Sequence, residues 1–250
     1  MAGHSHSANI ARRKNSVDAK RAKIFSKCAR AIMSAVRQGG ADPDANLKLK
    51  YAIEKARAEN MPKDNIIRAI KSASGDKSGD EWEELTYEGY AAGGIALMVG
   101  CLTNNRNRTA ADVKHIFDKR GGNLGAPGSV SYMFDHRSIL VVQNGEFDED
   151  ALMEMALEVG ADDVEVGGEE STFYAPATDF LAVKAALEEK GLEFLSAEVG
   201  YVAQTPITIE TLEDAKKVFG LIESLEDNED VQNVYSNYDI PDEWVEELCS

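Results

Sequence analysis

The chain has 250 residues, 43% of them hydrophobic and 28% charged, which suits a folded protein of two or three domains with a sizeable core. No stretch approaches the roughly 18 consecutive apolar residues of a membrane-crossing helix, and three cysteines, Cys28, Cys101 and Cys249, are too scattered for a disulfide framework or a zinc site. The net charge of -17 argues against a polyanionic partner when taken whole, but residues 1–75 hold sixteen Lys and Arg against six Asp and Glu, a net of +10, and the remainder carries -27.

Residues 1–15 show no apolar period and read as an arm. Met1 to His6 lack the basic start and apolar stretch of a secretion signal, so the expected compartment is the cytoplasm. Ser16 is suited to cap a helix that runs to about Gln38 and stops at Gly39-Gly40. Phe25, Cys28, Ala29, Ile32 and Val36 recur at threes and fours and share one face of it. A second helix is predicted over 46–59, with Leu49, Ala52, Ile53 and Ala56 inward. Pro62 opens a third, whose core residues are predicted to be Ile66, Ile67 and Ile70. Ser72 to Asp80 reads as a linker.

Beyond it the period changes to that of strands. Glu84–Tyr90 and Ile95–Leu102 are predicted to form a hairpin around Ala91-Ala92-Gly93-Gly94. Thr109–Lys119 reads as a helix, Gly121–Gly128 as a loop and Ser129–Phe134 as a strand. From 139 to 201 the order is strand, helix, strand, strand, helix, strand, the ferredoxin-like arrangement. A helix over 211–225 and a strand over 231–236 have no sheet of their own and are predicted to complete the one begun at residue 84. The expected class is α+β: a basic three-helix bundle (1–78), a discontinuous α/β domain (79–135 with 205–250) and a ferredoxin-like domain (136–204).

The most informative feature is the basic line Arg12, Arg13, Lys14, Lys20, Arg21, Lys23, Lys27 and Arg30. A solvated helix face normally mixes charge signs, whereas residues 1–37 have nine Lys and Arg and one acid. Such side chains bind phosphate by releasing counterions, with little regard for base sequence. Arg106 and Arg108, in Asn104-Asn105-Arg106-Asn107-Arg108-Thr109, fall at a predicted helix start, where free N–H groups and the helix dipole favour an anion. The same Asn and Thr residues equally suit turn and cap roles. The loop Gly121-Gly122-Asn123-Leu124-Gly125-Ala126-Pro127-Gly128 lacks the Gly-Lys-Ser/Thr ending of a phosphate loop and is read as a tight connection.

No catalytic set is found. His115 has Asp112 one turn away but no nucleophile partner, and Gly128-Ser129-Val130-Ser131 lacks the second glycine of a nucleophile elbow. His4 and His6 are an incidental terminal pair, so neither metal nor other cofactor is expected.

Several segments together resemble the YebC/PmpR family: Gly3-His4-Ser5-His6-Ser7-Ala8-Asn9-Ile10, Asp18-Ala19-Lys20-Arg21-Ala22-Lys23-Ile24-Phe25, Asn60-Met61-Pro62-Lys63-Asp64-Asn65-Ile66 and Tyr87-Glu88-Gly89-Tyr90. Asn105-Arg106-Asn107-Arg108-Thr109, Gly121-Gly122-Asn123-Leu124-Gly125, Gly128-Ser129-Val130 and Asp230-Val231-Gln232 match as well. The resemblance implies a helical N-terminal domain and two α/β domains, the middle one closed by the C-terminal segment. It implies a non-enzymatic regulator of gene expression, commonly one that binds DNA. The mitochondrial relative activates synthesis of a cytochrome oxidase subunit, and some bacterial relatives assist stalled ribosomes. The family's basic arm falls on residues 9–30 here. Where the family usually has Trp this chain has Ser7, so the resemblance implies the loss of a stacking contact on a base or an rRNA groove.

Three readings follow. The first is a monomeric DNA-binding transcriptional regulator whose acidic domains face other proteins. The second is a ribosome-associated translation factor with the same arm on rRNA. The third is an acidic scaffold whose basic end is incidental.

Overall fold

The computed structural model describes residues 18–75 and 82–241 together with the helical positions 244 and 248, and of residues 18–20 the backbone alone. The chain folds into two compact units. Among the described residues, one comprises 18–23, 82–135 and 202–241 and the other 24–75 and 136–201. The helical region and the ferredoxin-like sheet therefore share a unit, a coarser division than three domains.

Three helices open the chain: α1 (Asp18–Gly39), α2 (Leu47–Ala58) and α3 (Lys63–Gly75). Their core is Cys28, Ile32, Ala35 and Val36 from α1, Leu49, Ile53 and Ala56 from α2, and Met61, Ile66, Ala69 and Ala73. Ser16, the expected cap of α1, lies outside the described residues. Asn46 is the cap of α2 and not its first residue. Its Oδ1 accepts from the Leu49 N–H at 3.1 Å, and its Nδ2 donates to the carbonyls of Ala35 and Gly40, both at 2.8 Å. One buried amide thus closes the end of one helix and the start of the next. A Cβ on Gly39 would stand 2.7 Å from that amide, so only glycine fits there. In α3 the expected core residue Ile67 is instead 38% exposed. Ile66, Ala69 and Ala73 define the inward face, and Ile67, one residue or about 100° further round, falls outside it.

The first unit contains a sheet of order β3-β1-β2-β9, from β1 (Glu83–Tyr90), β2 (Ala96–Thr103), β3 (Asn123–Leu124) and β9 (Val231–Ser236). All its pairings are antiparallel. The hairpin between β1 and β2 turns through Gly93 and Gly94, at φ 70° and 76°, a conformation that residues with a side chain seldom adopt. Leu97, Val99 and Cys101 of β2 face Val113 and Phe117 of α4 (Arg106–Lys119) and Val218, Leu221, Ile222 and Leu225 of α7 (Leu212–Glu226). The C-terminal helix and strand thus complete this sheet and its core, as expected. A short parallel pair, β8 (Ile207–Thr208) with β10 (Tyr238–Asp239), belongs to the same unit.

The strand predicted over Ser129–Phe134 does not form. Ser131–Met133 is a 3-10 turn, and the next strand, β4, runs Phe134–Gln143. The cause is Glu88 of β1, whose carboxylate accepts the N–H groups of Gly128, Val130 and Ser131 at 2.7, 2.7 and 2.9 Å. Amides committed to a side chain cannot join a ladder.

The second unit holds β4, α5 (Glu149–Val159), β5 (Asp163–Val166), β6 (Glu170–Pro176), α6 (Phe180–Glu189) and β7 (Glu193–Ala203). The strand order β5-β6-β4-β7 is that of the ferredoxin-like fold. Leu140 and Val142, with Phe173 and Ala175, meet Leu152 and Met155 of α5 and Phe180, Val183 and Leu187 of α6. Each of these side chains larger than alanine contributes about 1.5–3 kcal/mol when fully buried. Helix α2 belongs to the same unit through Tyr51, which meets the Phe180 ring edge-on at 5.2 Å. It is further tied by Lys55 to Glu198 at 2.7 Å and by Lys184 to Glu54 at 3.1 Å.

Candidate nucleic-acid interface

Helix α1 has one apolar and one basic side. Cys28, Ile32, Ala35 and Val36 are buried, while Lys23, Lys27 and Arg30, also spaced at threes and fours, lie on the other side of the helix. Arg12, Arg13 and Lys14 fall outside the described residues, as does the side chain of Lys20. Arg21 is exposed, and Lys27 and Arg30 are half-buried. Lys23 Nζ lies 2.8 Å from Asp227 Oδ1, with the two side chains 50% and 53% exposed. An ion pair that open to water is worth about 0–1 kcal/mol, so it yields readily to a stronger anion.

The second cluster is different in kind. Asn105 caps α4 by accepting the Arg108 N–H at 3.1 Å. The Arg108 guanidinium is turned onto Asp230, donating from Nη2 at 2.8 and 3.1 Å and from Nε at 3.3 Å. The same Asp230 carboxylate accepts from Thr109 Oγ1 at 2.8 Å and Thr103 Oγ1 at 3.2 Å. Burial alone would raise the Asp230 pKa; the hydrogen bonds from Arg108, Thr109 and Thr103 outweigh it and hold the group below its usual range. Arg108 thus fastens the start of α4 to the ends of β2 and β9. Arg106, next to the cap, is exposed and has no ion pair among the described residues. Of the two arginines that the sequence singles out, the structure gives one a bonded internal partner and leaves the other facing water.

The glycine-rich loop is also an internal part. A Cβ on Gly122 would come within 2.8 Å of Leu221, 2.9 Å of Phe117 and 3.0 Å of the Tyr90 carbonyl. One on Gly89 would lie 2.6 Å from the Asn123 carbonyl. Tyr90 donates its hydroxyl proton to the Ser129 carbonyl at 2.8 Å. Backbone approaches backbone here, and the glycines are explained by packing without a ligand. Glu88, which clamps the loop, is buried; burial would raise its pKa, but the three backbone donors bring it below the usual range. Sequence reasoning missed both carboxylates. Each is an acid in an acidic chain, and its partners lie 40 to 43 residues away for Glu88 and 121 to 127 for Asp230.

Cys28 and Cys101 are buried, and neither forms a disulfide among the described residues. Among the described residues no group of His, Cys, Asp and Glu could hold a metal ion, and no helix is long and apolar enough to cross a membrane.

A basic helical region, a ferredoxin-like sheet and a second, discontinuous α/β sheet together define a class of α+β protein. Other proteins share this organisation. Residues 5–76 match the TACO1/YebC protein N-terminal domain, and residues 82–238 match the TACO1/YebC second and third domain. The chain belongs to the YebC family. It is 48% identical over 250 residues to a protein of Halothermothrix orenii, covering 99% of both chains. It is 49% identical over 245 residues to one of Treponema pallidum, covering 98% of this chain and 100% of that one. Both relatives are named probable transcriptional regulatory protein. The crystal structure of a conserved hypothetical protein from Aquifex aeolicus, 44% identical, superposes with a TM-score of 0.82 over 91% of this chain and 93% of that one.

Proposed function

We propose that the chain regulates transcription by binding DNA, gripping the phosphate backbone through its basic helical amino-terminal region and catalysing no reaction. The observation that carries this reading is the segregation of charge: +10 on residues 1–75 in a chain whose net charge is -17. An acidic remainder is repelled by the polyanion and orients the basic end toward it. The relatives' name, probable transcriptional regulatory protein, supports the same reading. Phosphate contacts of this kind hold many sequences alike, and selectivity then comes from DNA shape or from a partner of the acidic domains.

The test is charge reversal at Lys20, Lys23 and Lys27 with binding to duplex DNA followed by fluorescence anisotropy across a salt series. The variant should bind every duplex more weakly and with a flatter salt dependence, by about 0.9 in log-log slope for each phosphate no longer held. Weakening confined to one sequence would mean that these lysines read bases, and the proposal would fail. Salt-sensitive cosedimentation with ribosomes, and no affinity for promoter fragments, would replace DNA by rRNA as the target.

A further inference from the structure

In a chain with 44 acids and 27 bases, a cation has abundant carboxylates to pair with. Several of the described cations, on every other helix that carries any, do pair. Lys55 meets Glu198, Arg57 meets Glu54, Arg108 meets Asp230, Lys114 meets Asp118, Arg137 meets Asp162, Lys184 meets Glu54 and Glu188, and Lys217 meets Glu213. Helix α3 is the exception as a unit. It carries Lys63, Arg68 and Lys71, all exposed, and among the described residues none of the three has an acid within 4.0 Å. Its single acid, Asp64, sits in the first turn, where the positive end of the helix dipole suits a carboxylate. The dipole does not account for Lys63, which stands at that same positive end.

The geometry is that of a ridge. Ile66, Ala69 and Ala73 bury the opposite face. At about 100° per residue, Lys63, Lys71 and Arg68 spread over an arc of about 140° on the solvent side. Between Lys63 and Lys71 lies Ile67, the 38%-exposed isoleucine that the core does not use. Residues 63 to 71 span about 12 Å of helix axis. B-DNA presents about seven phosphate charges over that length.

We infer that the outer face of α3 is a second DNA-backbone contact surface, in which Lys63, Arg68 and Lys71 take phosphates and Ile67 rests against deoxyribose. This rests on the DNA-binding reading above and adds to it a surface separate from α1. Like the arm, it carries no base-reading set and binds without sequence preference.

The test compares three full-length proteins on labelled duplex DNA by anisotropy between about 50 and 200 mM salt. One is the wild type, one is Lys63→Gln/Arg68→Gln/Lys71→Gln, and one is a control of equal net charge, Lys114→Gln/Lys190→Gln/Lys217→Gln. The wild-type affinity falls steeply over this range. In the α3 variant that fall should shrink about tenfold if two phosphates are no longer held and about fortyfold if three are not, at slope 0.9 per phosphate. The control should follow the wild type. Equal behaviour of the two variants overturns the inference, because net charge and not the α3 face would then be at work; so does an α3 variant that binds as the wild type does. In either case DNA binding through α1 stands. Absence of wild-type binding removes both proposals, and α3-dependent binding to anionic vesicles in its place assigns the face to a membrane surface. All three replaced residues are exposed, so unchanged thermal midpoints verify that the variants are folded.

Discussion

Replacing Asp230 by Ala tests a buried acid bonded to three side chains. Asp230 is 4% exposed and accepts from Arg108, Thr109 and Thr103. Both threonines are fully buried, so truncation strands the Thr103 hydroxyl proton away from water and leaves the Thr109 hydroxyl only the Asn105 carbonyl at 3.1 Å. A buried donor left unsatisfied costs about 1–3 kcal/mol. The Arg108 side chain is 47% exposed and can rehydrate, so its share is discounted relative to a fully buried pair. The sum is about 3 kcal/mol, equivalent to a drop of about 6–12 °C in melting temperature for a chain of this size. Urea denaturation should show a lower midpoint at unchanged slope. The pH dependence supplies a second readout. The folded-state pKa of Asp230 is lowered, so its stabilisation is complete above the ordinary carboxylate value and is lost as the pH falls through the lower folded value. The gap between wild type and variant should therefore be full near pH 7 and close as the pH drops below about 4. A gap under about 1 kcal/mol at neutral pH, or one indifferent to acid, would refute the account of Asp230 as the fastening of α4.

Two further perturbations address other parts of the fold. Glu88→Gln keeps the shape but replaces one acceptor oxygen by an NH2 group, so that either Gly128 N–H or the Val130 and Ser131 N–H groups lose their acceptor, costing about 2 kcal/mol; hydrogen exchange should quicken within the set Gly128, Val130 and Ser131 and little elsewhere. Lys184, with its side chain 10% exposed and held by Glu54 and Glu188, should cost about 2–3 kcal/mol when changed to Ala, whereas Lys217→Ala, which removes a solvent-exposed ion pair, should leave the denaturation midpoint where it is.

The elements whose period repeats were legible, and those held by a distant side chain were not. Helix α7 and strand β9 follow their patterns closely, because an amphipathic stripe and an alternating run each need only neighbours in sequence. The ferredoxin-like order was legible for the same reason. Ser129–Phe134 has an equally good strand pattern, yet Glu88 takes its amides from 40 residues away. The short pairings β3 with β1 and β8 with β10 are two residues long, below what any periodicity can register. Ile67 shows the limit within a helix: two adjacent isoleucines cannot both face the same core, and composition does not say which one turns out. At the candidate interface the spacing of Lys20, Lys23, Lys27 and Arg30 was readable, but the capture of Arg108 was not, because its partner is 122 positions away.

The acidic surplus of the chain has two distinct physical uses, and separating them sharpens the functional argument. Glu88 and Asp230 are buried acids that organise backbone amides and an arginine, and they would be needed whatever the protein bound. Exposed acids neutralise several cations of the α/β parts, as Asp118 does Lys114, Asp162 does Arg137 and Glu213 does Lys217. That internal neutralisation is weak per pair but consistent in sign, and it leaves little positive potential on those surfaces. The helical region lacks the acids to do the same, with six against sixteen bases in residues 1–75. A polyanion approaching this protein therefore meets attraction over one region and repulsion over the rest. Adding acids to α3, as in Ser72→Glu with Ser74→Glu, should weaken DNA binding without replacing any proposed phosphate-binding residue; an unchanged affinity would mean that the long-range field is not what orients the complex.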